Sequence, residues 1–308
     1  MSEPVTLRRM LRAGVRGVSE YTGMVLALFV VQILVSWGAG LIMALILMRS
    51  FGDKPLFDDA VDGDLAALLE ILRGGGQVFG AIAFVGVGAV LTWVVLRWFL
   101  AGGVLAVFTE QPRGRRETAR CFGAGAVSYF LVFARLGLIS FALNVPALMA
   151  LSAGLEWATG RFEHALTMTE VIVPLVLGLL PAALLHVVAS TIIDYARAEL
   201  VLRRPDHESL GAVRTTMRAA GFVVRRPLAL GHVLVYWAIF IAVSLGFAWL
   251  SHGHAMLGTS GALSLLAIRE GLSLLRSALA IGVTAGQVEL TATRPPPPRE
   301  IVPVVEKR

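Results

Sequence analysis

The residues best equipped for chemistry in this chain lie inside its most apolar stretches. His186, Ser190 and Asp194 recur every four residues and Arg197 follows three later, so the four share one side of a helix. Gln32, Asn144 and Arg276 sit in three other apolar stretches. Counting about 1.5 Å per residue from the nearest basic end puts Gln32, Asn144 and His186 near mid-depth of a bilayer, with Arg276 level or slightly outward. Ionisable groups at that depth are costly, and by default they mark a proton path, a lipid headgroup pocket or a solute route. Pro146, Pro174 and Pro181 would add freed backbone carbonyls to the same cavity. Against this stands a structural role. Buried His, Asn, Gln and Ser join membrane helices by hydrogen bonds of about 0.6 to 2 kcal/mol each, and Arg276 could pair with Asp194 or Glu199. The structural role is the weightier expectation.

Other motifs carry less. The run Asp58-Asp59-Ala60-Val61-Asp62-Gly63-Asp64 fails as a calcium loop, because with Gly63 at the turn the third and twelfth positions fall on Ala60 and Leu69. His164, His252 and His254 have no carboxylate frame around them, so no metal is expected. Cys121 is the single cysteine, which excludes an intrachain disulfide and a thiolate cluster, and it reads as a structural thiol. No GxxxxGK[ST], G-x-S-x-G or H-E-x-x-H pattern occurs. The expectation is a protein that is not an enzyme and holds no cofactor. Gly76, Gly80 and Gly88 on one face, and Gly102-Gly103 beyond, read as close helix packing.

The elements that must position these residues follow from composition. Of 308 residues 56% are hydrophobic and 16% charged, with a mean hydropathy of +0.76, values suited to a membrane protein rather than a soluble core. The net charge of +6 rests on arginine, Lys54 and Lys307 being the only lysines. These cations flank apolar stretches instead of forming an aromatic-interleaved polar surface, so nucleic acid is not an expected partner. The arginine bias hints at a GC-rich bacterial genome. Hydropathy predicts an all-α integral membrane bundle of six transmembrane helices near residues 22–48, 77–96, 136–155, 171–193, 228–250 and 262–288. The first apolar run is too long for a signal peptide. The last carries Arg269, Glu270 and Arg276.

Segments 1–21, 97–135 and 194–227 hold four, six and seven Arg or Lys, against three in 49–76 and one in 156–170. Basic residues stay on the cytoplasmic side, which predicts an inner-membrane protein with both termini in the cytoplasm. Three amphipathic interfacial helices are expected there. Leu7, Met10, Leu11, Gly14, Val18 and Tyr21 oppose Arg8, Arg9, Arg12 and Arg16 in the first. Phe122, Ala126, Tyr129, Phe130 and Phe133 make a stripe ending at Arg135 in the second. Leu210, Val213, Met217, Gly221 and Val224 line the third, beside Arg214 and Arg218. The layout suggests three copies of one unit: interfacial helix, span out, outer connection, span back. Leu65, Leu68, Leu69 and Leu72 predict a short outer-surface helix. The division is 1–21, a basic interfacial helix; 22–290, the membrane domain; and 291–308, a Pro-rich disordered cytoplasmic tail.

The basic lead-in helix, the acidic loop "FGDKPLFDDAVDGDLAALLEIL", the segment "WFLAGGVLAVF" and the segment "IIDYARAELVL" occur in an order that resembles a poorly characterised group of six-helix bacterial inner-membrane proteins. That group is similar in plan to the membrane domain found beside some glycerophosphodiester phosphodiesterases. The resemblance covers nearly the whole chain and implies a fold, not a reaction, since no phosphodiesterase domain is present. Arg8, Arg9, Arg12, Arg16, Arg97, Arg135 and Arg197 are expected to meet lipid headgroups. The expected function is a non-catalytic membrane protein that binds anionic lipid, a membrane partner or a second copy of itself. The alternative is a permease or transporter subunit with a path lined by Gln32, Asn144, His186, Asp194 and Arg276.

Overall fold

The structure, a computed structural model, describes residues 6–52, 76–161, 167–203, 211–254 and 258–293. Among them it contains eight helices and no strand: α1 (Leu7–Glu20), α2 (Thr22–Phe51), α3 (Gly76–Glu110), α4 (Arg115–Thr159), α5 (Met168–Leu202), α6 (Ala212–Arg225), α7 (Pro227–His254) and α8 (Gly258–Ala292). Local chemistry sets several ends. Thr6 caps α1 by accepting from the Arg9 amide at 3.4 Å, and Thr167 and Glu170 close a capping box on α5. Between α3 and α4 the chain reverses through Gln111 and Gly114, at φ 48° and 92°, the left-handed region in which glycine carries no Cβ penalty. Pro227 stands at the first position of α7, where its missing N–H costs nothing.

Among the described residues five helices are long and apolar enough to cross a membrane: α2, α3, α4, α5 from Thr169, and α7 to Leu250. α8 is as long as α3, but Arg269, Glu270 and Arg276 interrupt its apolar stretch and it falls outside that set. The predicted acidic loop with its short helix, the His164 segment and the C-terminal tail lie outside the described residues, as does Leu210.

The spans and the core occupy different parts of the molecule. Phe84 is 80% exposed and Leu34 67%, and the most apolar stretch of α3 contains no buried residue. Leaving such a side chain in water would forgo about 1.5 to 3 kcal/mol of burial each, so these surfaces call for hydrocarbon around them. The buried core collects where the arginine-rich ends meet. It takes Val104 to Phe108 from the end of α3, Tyr129, Phe133 and Leu136 from α4, Tyr195 to Val201 from α5, Phe222 and Val223 from α6, Ala229 from α7 and Ile281 to Leu290 from α8.

That core revises three expectations. The second span does not stop near residue 96; its helix runs on to Glu110 because Gly102 to Phe108 pack inside protein. Residues 118–135 are not a separate interfacial helix. They form the first part of α4, 45 residues long, and their aromatic stripe faces protein, with Ala126, Tyr129 and Phe133 buried. Of the glycines expected to pack, Gly102 and Gly103 are contacts, whereas at Gly76, Gly80 and Gly88 an added Cβ would meet nothing within 4 Å. A Cβ on Gly102 would lie 2.9 Å from the Gly125 carbonyl, and one on Gly154 would overlap the backbone of Gly178, so α4 touches both α3 and α5 at backbone distance.

α1 and α6 do exist as separate short helices. α1 buries Met10, Gly14 and Gly17, and a Cβ on Gly14 would run into the Tyr236 hydroxyl and the Gly282 backbone. Half of its expected apolar face is therefore spent on α7 and α8. On the outward side the half-buried Leu7 and Leu11 run with Val15, which is 70% exposed, beside Arg8, Arg12 and Arg16. α6 buries Thr215, Thr216, Ala219, Phe222 and Val223 while Val213, Met217 and Val224 stay exposed.

Candidate functional site

A groove of about 560 Å³ opens between α3, α4 and α5. It exists because α3 and α5 both lie against α4, with Gly137 against the Trp98 ring and Gly154 against Gly178. One side of α5 supplies His186, Ser190, Asp194 and Arg197, the four residues that helical spacing groups together. α4 supplies Ser140 and Asn144, and α3 supplies Arg97.

The polar groups in the middle of the groove form a closed chain. The His186 Nδ1–H donates to Asn144 Oδ1 at 2.7 Å, the tautomer that the amide oxygen selects. His186 Nε2 is then an acceptor, facing the Ser190 hydroxyl at 3.4 Å. Asn144 Nδ2 donates to the Ser140 carbonyl at 2.7 Å. Both imidazole nitrogens have partners, and the bond to Asn144 ties α5 to α4.

At the mouth, Arg197 Nη1 lies 3.0 Å from Asp194 Oδ1. Arg197 was expected among the headgroup-facing arginines; instead it is 7% exposed, and its guanidinium stands 5.7 Å from the centre of the Phe133 ring. Arg97 is exposed on the rim. Neither Gln32 nor Arg276 lines the groove. Arg276 is exposed on α8, and the charge within its electrostatic reach is that of Arg97, not Asp194 or Glu199. No family model, curated protein or solved structure matches the chain.

Of the remaining arginines, Arg8, Arg12, Arg16 and Arg135 are exposed, whereas Arg9 is held by Glu289 of α8, its Nε 2.7 Å from Oε1. Asp194 and Glu199 both find partners other than Arg276. Glu199, 1% exposed, lies 3.2 Å from Arg218 of α6 and 3.5 Å from Arg203. The sequence offers Glu199 only as a partner for Arg276, and it offers no role for His232. Glu199 recurs five residues after Asp194, off the polar side of α5, and only the docking of α6 shows why a carboxylate is there. His232 of α7 is fully buried, stacked edge-on with Tyr236 at 5.1 Å, and a Cβ on Gly286 would collide with its ring. No spacing pattern singles it out. Cys121 donates to Glu110 Oε2 at 3.3 Å and is buried, as befits a structural thiol. Among the described residues no group of three His, Cys, Asp or Glu could hold a metal ion.

Proposed function

We propose that this chain is a non-catalytic, multi-pass inner-membrane protein whose basic end engages anionic lipid headgroups. α8 serves as the sixth crossing, which returns both ends to the arginine-rich, cytoplasmic side. The carrying observation is the outward surface of α1, where Leu7, Leu11 and Val15 run alongside Arg8, Arg12 and Arg16. An apolar ridge one helical row from a cationic row matches the boundary between acyl chains and phosphates. The exposed Val213, Met217 and Val224 of α6 extend the same kind of surface.

A permease reading is less well supported. Its path drew on five residues, and Gln32 and Arg276 lie apart from the groove that joins the others.

Each cation near an anionic leaflet contributes about 1 kcal/mol. Thermal unfolding of the full chain in neutral detergent should therefore be delayed more by added phosphatidylglycerol than by phosphatidylcholine, and high salt should erase the difference. Combining Arg8→Gln, Arg12→Gln and Arg16→Gln should remove most of it. Equal stabilisation by the two lipids at low salt would overturn the proposal. Arg9 is left intact because of its bond to Glu289.

A further inference from the structure

The groove between α3, α4 and α5 changes character along its length. Arg97, Asp194 and Arg197 stand at one end, the Ser190, His186 and Asn144 chain in the middle, and Leu148, Leu151 and Leu179 at the other end. From Asp194 to Leu179 α5 rises about 22 Å. One leaflet with its headgroups is roughly 20 to 22 Å thick.

Charge at the mouth is unbalanced. Among the described residues that line it, the one carboxylate, Asp194, is engaged by Arg197 at 3.0 Å. Arg97 has no ion-pair partner among the described residues, and both Arg197 and Arg276 are within its electrostatic reach. Arg197 is buried, yet its Nε–H has no acceptor among the described residues. A surplus of cations at a partly desolvated site favours an anion with several acceptor oxygens, which is the chemistry of a phosphate. The walls decide between a free phosphate and one attached to a lipid. Phe141 and Leu148 are 55% and 59% exposed, so the groove is open sideways to hydrocarbon below the arginines, and a soluble anion would leave that length unfilled.

We infer that the groove seats a single anionic phospholipid, its phosphate on Arg97 and an acyl chain along Leu148, Leu151 and Leu179. This rests on the reading that the basic end lies at anionic headgroups, and adds to it one specific site. The Asn144 and His186 pair, about 12 Å along α5 from Asp194, forms the groove wall beside the acyl chain, and Asp194 holds Arg197 in place.

The test is native mass spectrometry of the full chain titrated with phosphatidylglycerol, in wild type, Arg97→Gln and Ala183→Trp, with folding checked by circular dichroism. Ala183 lines the apolar part of the groove and is exposed, so the added indole fills the space without changing charge. The expected result is one lipid bound more tightly than the rest in wild type, weakened at least about tenfold in each variant, the equivalent of losing one charge-assisted hydrogen bond for Arg97→Gln. Glycerol 3-phosphate and inorganic phosphate should fail to displace it. Wild-type affinity in Arg97→Gln overturns the inference. So does an unaffected Ala183→Trp in which glycerol phosphate competes, the mark of a free-anion site. Should Arg97→Gln fail to fold, Ala183→Trp decides alone. The salt-dependent stabilisation by phosphatidylglycerol should persist in both variants, so that its absence in wild type would count against the broader proposal and not against this site alone.

Discussion

Two carboxylates on α5 illustrate how differently neighbouring residues are used. Asp194 is partly exposed and its partner Arg197 is three residues away on the same helix, so this pair organises the groove mouth without joining two elements. Glu199 is buried and reaches Arg218 on α6, making it a tie between elements. Breaking a buried pair by removing one partner leaves the other charge uncompensated, at about 3 to 5 kcal/mol. Glu199→Ala should therefore destabilise the protein by about that amount in a reversible unfolding titration, and Arg218→Met combined with it should cost less than the two single changes summed. Additive losses would show that α6 is held by its apolar face alone. His186 and Asn144 are closer to the ordinary case, an interhelical side-chain bond for which about 0.6 kcal/mol is typical.

At the scale of elements, backbone proximity decides which helices can pair. α4 is the hub: Gly125 lets it approach Gly102 of α3, Gly137 admits Trp98, and Gly154 meets Gly178 of α5. In lipid there is little hydrophobic drive to pair helices, so close contact and hydrogen bonds supply the association. Gly154→Val would push α4 and α5 apart at the apolar end of the groove. The expected cost is about 1 to 3 kcal/mol, read as a lower unfolding midpoint in detergent, and Gly80→Val should be neutral because nothing lies within 4 Å of it. The glycine face of the second span was legible in sequence only as composition. Which glycines are contacts depended on partners that no spacing reveals. α1 shows the same limit: its two-sided pattern is plain, but Met10 and Gly14 turned to α7 and α8 instead of to lipid.

For the molecule as a whole, the separation of a protein-packed basic end from uncovered apolar spans sets its place in a bilayer. α8 is the decisive element for topology. Its Glu270 accepts from Trp37 Nε1 of α2 at 3.1 Å, which gives one of its charged groups a partner along the shared length of two helices. If α8 crosses, alkaline phosphatase fused after residue 160 should be active, while fusions after residues 112, 208 and 308 should be inactive and a cytoplasmic reporter should show the reverse. An active phosphatase fusion at residue 308 would leave α8 on the outer side and reduce the count to five.

Helical class, the apolar runs and the grouping of His186, Ser190, Asp194 and Arg197 were determined by the chain itself, since a period of about 3.6 residues and a hydrocarbon solvent leave few alternatives. The meeting of His186 with Asn144 was foreseeable in depth but not in partner. Tertiary structure alone decided that Gln32 and Arg276 stand outside the groove, that Arg197 is buried beneath Phe133, and that the aromatic stripe of residues 118–135 belongs to protein. The physical reason is common to all three. Periodicity reports that a face is apolar or polar, whereas rotation of each helix about its axis, set by glycine contacts and buried ion pairs, chooses whether that face meets lipid or another helix.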